Sequence, residues 1–251
     1  MKKARGRAAI ITGSAGGIGA ALCRAFAEAG YYVVGTDQAL PEEATASHAY
    51  VPVDLDQFCT DEKARVAAMA RIRHALEARP LGVLINNAAL QVVKPVERLT
   101  VEDWSRTLNI NLVAPFLLTQ AFLPELEAAN GSVINIGSIH AALTKPEFTA
   151  YATSKSALGG LTRSLAVELG RRIRINAICP AAIATPMLLA GFEGKKAALA
   201  DLAGMHPVGR LGEPGEVAAL ALFLASDDAK FINGAEFGLD GGMRARLHDP
   251  V

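Results

Sequence analysis

Short apolar runs alternate with longer stretches of mixed apolar and polar residues along this chain. The runs are Ala8–Thr12, Tyr32–Thr36, Ala49–Val53, Leu81–Ile85, Ser132–Ile136, Arg174–Cys179 and Glu236–Leu239. They are apolar almost throughout, the pattern of strands covered on both faces. The stretches between them, near 17–29, 59–79, 101–129, 151–169 and 215–225, have helical composition. Strand, helix, strand at this rhythm predicts βαβ units and an α/β fold, a doubly wound parallel sheet of about seven strands. No Pro/Gly/Ser-rich linker and no internal repeat interrupts residues 1–251, so they read as one domain. The least regular region is 186–214, with Pro186, Gly191, Gly194, Gly204, Pro207, Gly209, Gly212 and Pro214. It reads as a long loop or helical flap, a type of segment that commonly carries function.

Composition narrows the classes. Hydrophobic residues make up 51% and charged residues 20% of the chain, which argues against disorder. Lys+Arg and Asp+Glu number 25 each, so the basic excess of a nucleic-acid binder is missing. Cys23, Cys59 and Cys179 are far apart and odd in number, which suits a reduced compartment. There is no CxxC, no HExxH and no ligand spacing around His48, His74, His206 or His248, so no metal site is expected. Met1-Lys2-Lys3-Ala4-Arg5 looks like the start of a signal peptide, but the apolar stretch after it stops at Thr12-Gly13. That is too short for a signal core or a membrane span, and the expectation is a cytoplasmic protein without a membrane partner.

Thr12-Gly13-Ser14-Ala15-Gly16-Gly17-Ile18-Gly19 follows the first run and opens the first helical stretch. Glycines there let the backbone approach a pyrophosphate, and the helix N-terminus supplies free N–H groups to the anion. The second run ends at Gly35-Thr36-Asp37, with Asp37 18 residues beyond Gly19. In a dinucleotide fold that carboxylate accepts hydrogen bonds from the adenosine ribose and repels a 2′-phosphate. No Lys or Arg stands at Ser14, Ala15 or Gln38 to offset it, which points to NAD(H).

At this point the chain resembles the short-chain dehydrogenase/reductase family over about residues 6–243. The turn matches its TGxxxGxG pattern, and Asn86-Asn87-Ala88-Ala89 matches its NNAG with Ala89 for the last glycine. Asn111, Ser138, Tyr151 and Lys155 match its catalytic tetrad in order and spacing, and Cys179-Pro180-Ala181 stands where the family has Pro-Gly. Val208-Gly209-Arg210-Leu211-Gly212-Glu213-Pro214 and Asp240-Gly241-Gly242 are typical of it as well. The resemblance implies a Rossmann-like fold. It implies cofactor contacts from Gly13, Ser14, Gly17, Ile18, Gly19, Asp37, Asp54, Leu55, Asn87, Ala88, Tyr151, Lys155, Pro180, Ile183 and Thr185. Asp54 would meet the adenine and Thr185 the nicotinamide carboxamide.

The residues themselves support the chemistry. Tyr151 and Lys155, four apart in a helical stretch, share one face. A phenol of reference pKa near 10 needs roughly 4 kcal/mol of preferential phenolate stabilisation to act as a base near pH 7. An ammonium about 4 Å away supplies on the order of 4 kcal/mol at an effective dielectric of about 20. Tyr151 is therefore the expected general acid/base, Lys155 its electrostatic partner and a ribose ligand, and Ser138 the group that orients the substrate oxygen. Pro115 has no N–H for the carbonyl of Asn111, which leaves that carbonyl for a water leading to Lys155 or merely kinks the helix.

Gln91 and His140 are the candidates for substrate contact, with Lys145 further along the same loop. That pairing resembles 3-hydroxybutyrate dehydrogenases, where such residues hold the substrate carboxylate, but the lysine three before their tyrosine is Phe148 here. A small hydroxy acid, a polyol, a sugar and a cyclic alcohol all stay open. The overall expectation is an NAD-dependent oxidoreductase interconverting a secondary alcohol and a ketone. The alternatives are an NADPH-dependent 3-oxoacyl thioester reductase and a catalytically idle dinucleotide sensor. Leu117, Leu118, Phe122, Leu158, Leu161 and Leu165 on the stretches 101–129 and 151–169 suggest faces that pair across a two-fold axis, and the resemblance implies a homotetramer.

Overall fold

In a computed structural model, residues 6–38 and 46–247 are described; Met1–Arg5 and His248 lie outside them. Seven parallel strands form one sheet in the order β3-β2-β1-β4-β5-β6-β7. They are β1 Ala8–Thr12, β2 Tyr32–Asp37, β3 Ala49–Pro52, β4 Leu81–Asn86, β5 Ser132–Ile136, β6 Arg174–Pro180 and β7 Glu236–Leu239. β1, β4 and β5 are buried at every position, as their unbroken apolar runs require.

Two apolar layers follow from the alternation of side chains through the sheet. On one face Ile11, Val33, Ile85 and Ile134 pack with Leu22 and Phe26 of α1 (Gly17–Glu28) and Val217 and Leu224 of α9 (Pro214–Ala225). On the other, Ile10, Val34, Leu84 and Val133 pack against α2 (Leu55–Thr60), α3 (Glu62–Ala75), α5 (Ala114–Ala128) and α6 (Thr149–Leu169). Strand order reverses between β1 and β4, and the ends of these strands open a crevice there, the usual ligand position in such sheets.

The helical stretches differ from expectation in their breaks. Stretch 59–79 begins earlier and divides in two. Asp54 caps α2 by accepting from the N–H groups of Asp56 and Gln57, and Asp61 caps α3 through those of Lys63 and Ala64. Stretch 101–129 is α4 (Val101–Leu108), a π-helical turn over Asn109–Val113, and then α5. The wide turn sits directly before Pro115, whose ring and missing N–H disfavour ordinary helical bonding there. By length and composition Val101–Ala128 could cross a membrane, yet Leu118, Phe122 and Leu126 on it are fully buried against the sheet. The flap holds two short helices, α7 (Pro186–Gly191) and α8 (Lys196–Gly204).

The expected pairing faces need a correction. Leu118, Phe122 and Leu158 belong to the chain's own core, and Leu117, Leu161 and Leu165 are half-buried. The apolar side chains that α4, α5 and α6 expose are Val101, Phe116 and Val167.

Candidate active site

The glycine-rich turn between β1 and α1 is locked by its neighbours. Gly13 has φ +64°, and a Cβ on it would lie 2.7 Å from the Ala88 Cα. A Cβ on Gly19 would lie 1.9 Å from the Gly13 carbonyl oxygen. Both positions therefore require glycine. Thr12 Oγ1 accepts from the backbone N–H groups of Asn87 and Ala88, each at 3.0 Å, and the Asn87 amide donates to the carbonyls of Thr12 and Gly13. The NNA turn after β4 is thus bolted to the end of β1.

These elements enclose a cleft of about 430 Å³. Of the residues named from the sequence, Gly13, Gly17, Ile18, Gly19, Asp37, Asp54, Leu55, Asn87, Ala88, Gln91, Tyr151 and Thr185 line it. Asp37 ends β2 and accepts from the N–H groups of Ala15 (3.2 Å) and Gln38 (2.9 Å). Four expected cofactor residues do not line it. Ser14 is turned inward, with its N–H and hydroxyl both donating to the Thr36 carbonyl, and Pro180, Ile183 and Lys155 are buried. Sequence reasoning missed Arg106 and Ile110 from the other wall, and Met187 of the flap lines the cleft as well. Residues 106 and 110 lie one helical turn apart, but nothing in the sequence says which face of that helix meets the cleft.

Ala89 and Ala181 replace glycines of the family pattern. Neither adopts a positive φ, so the methyl groups impose no backbone strain.

Asn111 is 1% exposed and its amide is fully used. Oδ1 accepts from the Leu90 N–H at 2.7 Å, and Nδ2 donates to the Leu90 carbonyl and to Ser154 Oγ, each at 2.9 Å. Ser154 in turn donates to the Tyr151 carbonyl at 2.7 Å. The side chain so braces the cleft loop against the first turns of α6. Ser138, at the end of β5, accepts from the His140 N–H and hydrogen-bonds Tyr151. Lys155 donates to the Ile136 carbonyl at 2.7 Å, with Nζ 5.7 Å from the centre of the Tyr151 ring.

Burial governs the ionisation of this pair. It pushes the Tyr151 phenol up, and the Ser138 hydrogen bond offsets part of the rise. It pulls Lys155 down to about 8. In the protein by itself burial is thus the largest influence on both groups, and on the phenol it acts in the direction opposite to the lowering expected from Lys155.

His140 stacks on Phe148, with ring centres 4.6 Å apart and planes 6° apart, and both rings meet Tyr151 edge-on at 5.7 and 6.2 Å. His140 Nδ1 is hydrogen-bonded to Thr144 Oγ1 at 3.0 Å, and the Lys145 ammonium lies 4.7 Å from the Phe148 ring centre. A smaller cavity of about 290 Å³ shares no lining residue with the cleft, and its Arg210 is paired with Glu216. Among the described residues no group of three or more His, Cys, Asp or Glu could hold a metal ion.

The dinucleotide fit follows from this geometry. Gly13 and Gly19 have no room for a Cβ, the cradle runs into the N-terminus of α1, and the Asp37 carboxylate lines the same cleft. Residues 13–244 match the family model described as enoyl-(acyl carrier protein) reductase. The chain is 38% identical over 248 residues to a cis-4-hydroxycyclohexanecarboxylate dehydrogenase of Sinomonas cyclohexanicum, covering 95% of this chain and 97% of that one. A structure of 4-hydroxyisoleucine dehydrogenase complexed with NADH matches at TM-score 0.85 and 29% identity, covering 96% and 100%. A putative NAD(P)-dependent gluconate 5-dehydrogenase from Beutenbergia cavernae with bound NADP matches at the same score and identity, covering 97% and 99%.

Proposed function

The chain belongs to the short-chain dehydrogenase/reductase family and is an oxidoreductase acting on CH–OH groups, and from that premise we propose that it interconverts a secondary alcohol and a ketone with NAD(H). One observation carries the cofactor choice. Asp37 lines the cleft at the end of β2, and the residues beside it, Ala15 and Gln38, bring no cation. A 2′-phosphate there would meet an uncompensated carboxylate. NAD over NADP should be favoured at least tenfold in kcat/KM, and Asp37→Ala should shrink that ratio. Equal use of both by the parent enzyme would sink the assignment.

The nicotinamide supplies the hydride acceptor or donor when bound. Tyr151 gives a proton to the ketone oxygen in reduction and takes it back in oxidation, with Ser138 holding the same oxygen. Lys155, buried behind the phenol, supplies positive charge and reaches for the ribose. The Asn111 carbonyl, within the wide helical turn, would accept from a water that carries protons toward Lys155. Gln91 and His140 face the substrate.

The proposal extends to a homotetramer in the cytoplasm, with Val101, Phe116 and Val167 as the apolar side chains that α4, α5 and α6 leave exposed for contact between copies. Light scattering should give about 105 kDa, four chains of 26.3 kDa, and a monomer at micromolar concentration would refute the assembly.

A further inference from the structure

Behind the cofactor end of the cleft, β3 supplies a side chain that no motif singles out. Tyr50 pairs with Gly35 of β2 in the parallel ladder. Side chains alternate along a strand and paired positions share a face, so Gly35 and Tyr50 face α1, as Val33 does. A Cβ on Gly35 would lie 2.5 Å from Ser47 Oγ and 2.7 Å from Ser14 Oγ. The two serine hydroxyls thus occupy the space that a side chain at position 35 would need. Ser47 Oγ donates in turn to Cys23 Sγ of α1 at 3.5 Å. Ser14, fully buried, shares a hydrogen bond with the Tyr50 phenol.

These contacts lead to the carboxylate at the end of β2. Ser14 donates its N–H and its hydroxyl to the Thr36 carbonyl, and the next residue, Ala15, donates its N–H to Asp37 Oδ2 at 3.2 Å. Two successive residues of the glycine-rich turn are therefore tied to two successive residues of β2, and Tyr50 buttresses the first tie from β3. The phenol also lies within electrostatic reach of Asp37. Burial first, and then the Asp37 charge, pushes it up to about 12, so it adds no charge of its own beside the carboxylate at neutral pH.

We propose that Tyr50 is a positioning residue for cofactor choice: by holding Ser14 inward over Gly35 it keeps the Ala15 N–H on the Asp37 carboxylate, and so fixes that carboxylate for the hydroxyls of an adenosine ribose. This rests on the NAD(H) reading above. NAD gains from the carboxylate, whereas the 2′-phosphate of NADP is repelled by it. Loosening the brace should therefore weaken one cofactor and spare the other.

Fluorescence titration of the whole enzyme with NADH and with NADPH tests this without a substrate. Tyr50→Phe removes only the hydroxyl. It should raise Kd for NADH about 3–10-fold, the range of one lost hydrogen bond, and leave Kd for NADPH within about twofold. In an Asp37→Ala background the same change should move Kd for NADH by less than about twofold, because the brace then has nothing to hold. Ser14→Ala breaks the contact from the other side and should also weaken NADH alone, with the double variant no worse than Ser14→Ala. It decides the matter if a thermal melt shows Tyr50→Phe to be unfolded. Equal weakening of NADH and NADPH, or a Tyr50→Phe effect that persists without Asp37, would make Tyr50 a packing residue and overturn the proposal. An unchanged Kd for NADH in Tyr50→Phe, where the parent prefers NADH, would also overturn it and leave the NAD(H) reading standing. A parent that binds NADPH as tightly as NADH removes that reading, and the brace with it.

Discussion

The two ends of the cleft are built to different tolerances. At the cofactor end, strand ends and a helix start are tied by hydrogen bonds from Thr12 and Asn87, and Gly13 and Gly19 have no room for a methyl group. At the substrate end the flap is short helices joined by glycines, and a Cβ on Gly191, Gly194 or Gly204 would meet nothing. The first region holds a ligand common to a whole family and gains from rigidity. The second is where apolar bulk and loop length can change without disturbing the sheet, so specificity is written there.

Between the two ends stands Tyr151, and the largest expected effect is on it. Tyr151→Phe removes only the hydroxyl, so kcat should fall by about 10²–10⁴ while NADH affinity stays within about twofold. A phenylalanine variant with near-parental kcat would break the division of labour. Lys155→Ala should lose both turnover and some NADH affinity, because it is assigned to both ends. The direction of the Tyr151 shift also fixes the sign of the pH response. A raised phenol keeps its proton through neutral pH, so ketone reduction should hold there and decline only on the alkaline side. Alcohol oxidation needs the deprotonated form and should rise with pH. Initial rates in both directions from pH 6 to 10 check this, and parallel profiles would contradict it.

The glycines test the contrast directly. Gly19→Ala forces a Cβ to 1.9 Å from a backbone oxygen and should cost about 3 kcal/mol or more in stability, together with most NADH binding. Gly191→Ala adds a methyl in open space and should stay within about 0.5 kcal/mol. Thermal melts with and without NADH separate the two. Equal effects would mean that the flap is as tightly built as the cradle.

The same division decided what could be read from sequence. β1 and β5 fall where the apolar runs place them, because a buried parallel strand must be apolar along its length, and β7 falls on its run although it is only partly buried. The cradle and the Tyr151–Lys155 pair were legible because backbone approach and helical spacing dictate residue type at fixed intervals. Three features were not. Ser14 faces inward and Arg106 faces the cleft because of tertiary packing, which no local pattern encodes. The split of 59–79 at Asp61 is a cap inside a stretch of helical composition. The phenol's raised pKa depends on burial of the whole pair, which spacing alone does not reveal.

The smallest expected effect probes the substrate end alone. Gln91 lines the cleft and is exposed, and His140 belongs to the aromatic wall at Tyr151. Neither touches the cradle, and no backbone of the glycine-rich turn hangs on them. Gln91→Ala removes one polar contact, and His140→Ala opens the wall on which Phe148 rests, so each should raise KM for the substrate by about 3–10-fold. Kd for NADH should be unchanged in both, measured by fluorescence titration. His140→Phe keeps the stacked ring and discards the nitrogens. If the wall works by shape, this variant restores the parental KM; if His140 donates to the substrate, it stays as impaired as alanine. A shift in NADH affinity for either residue would instead mean that the two ends are mechanically joined.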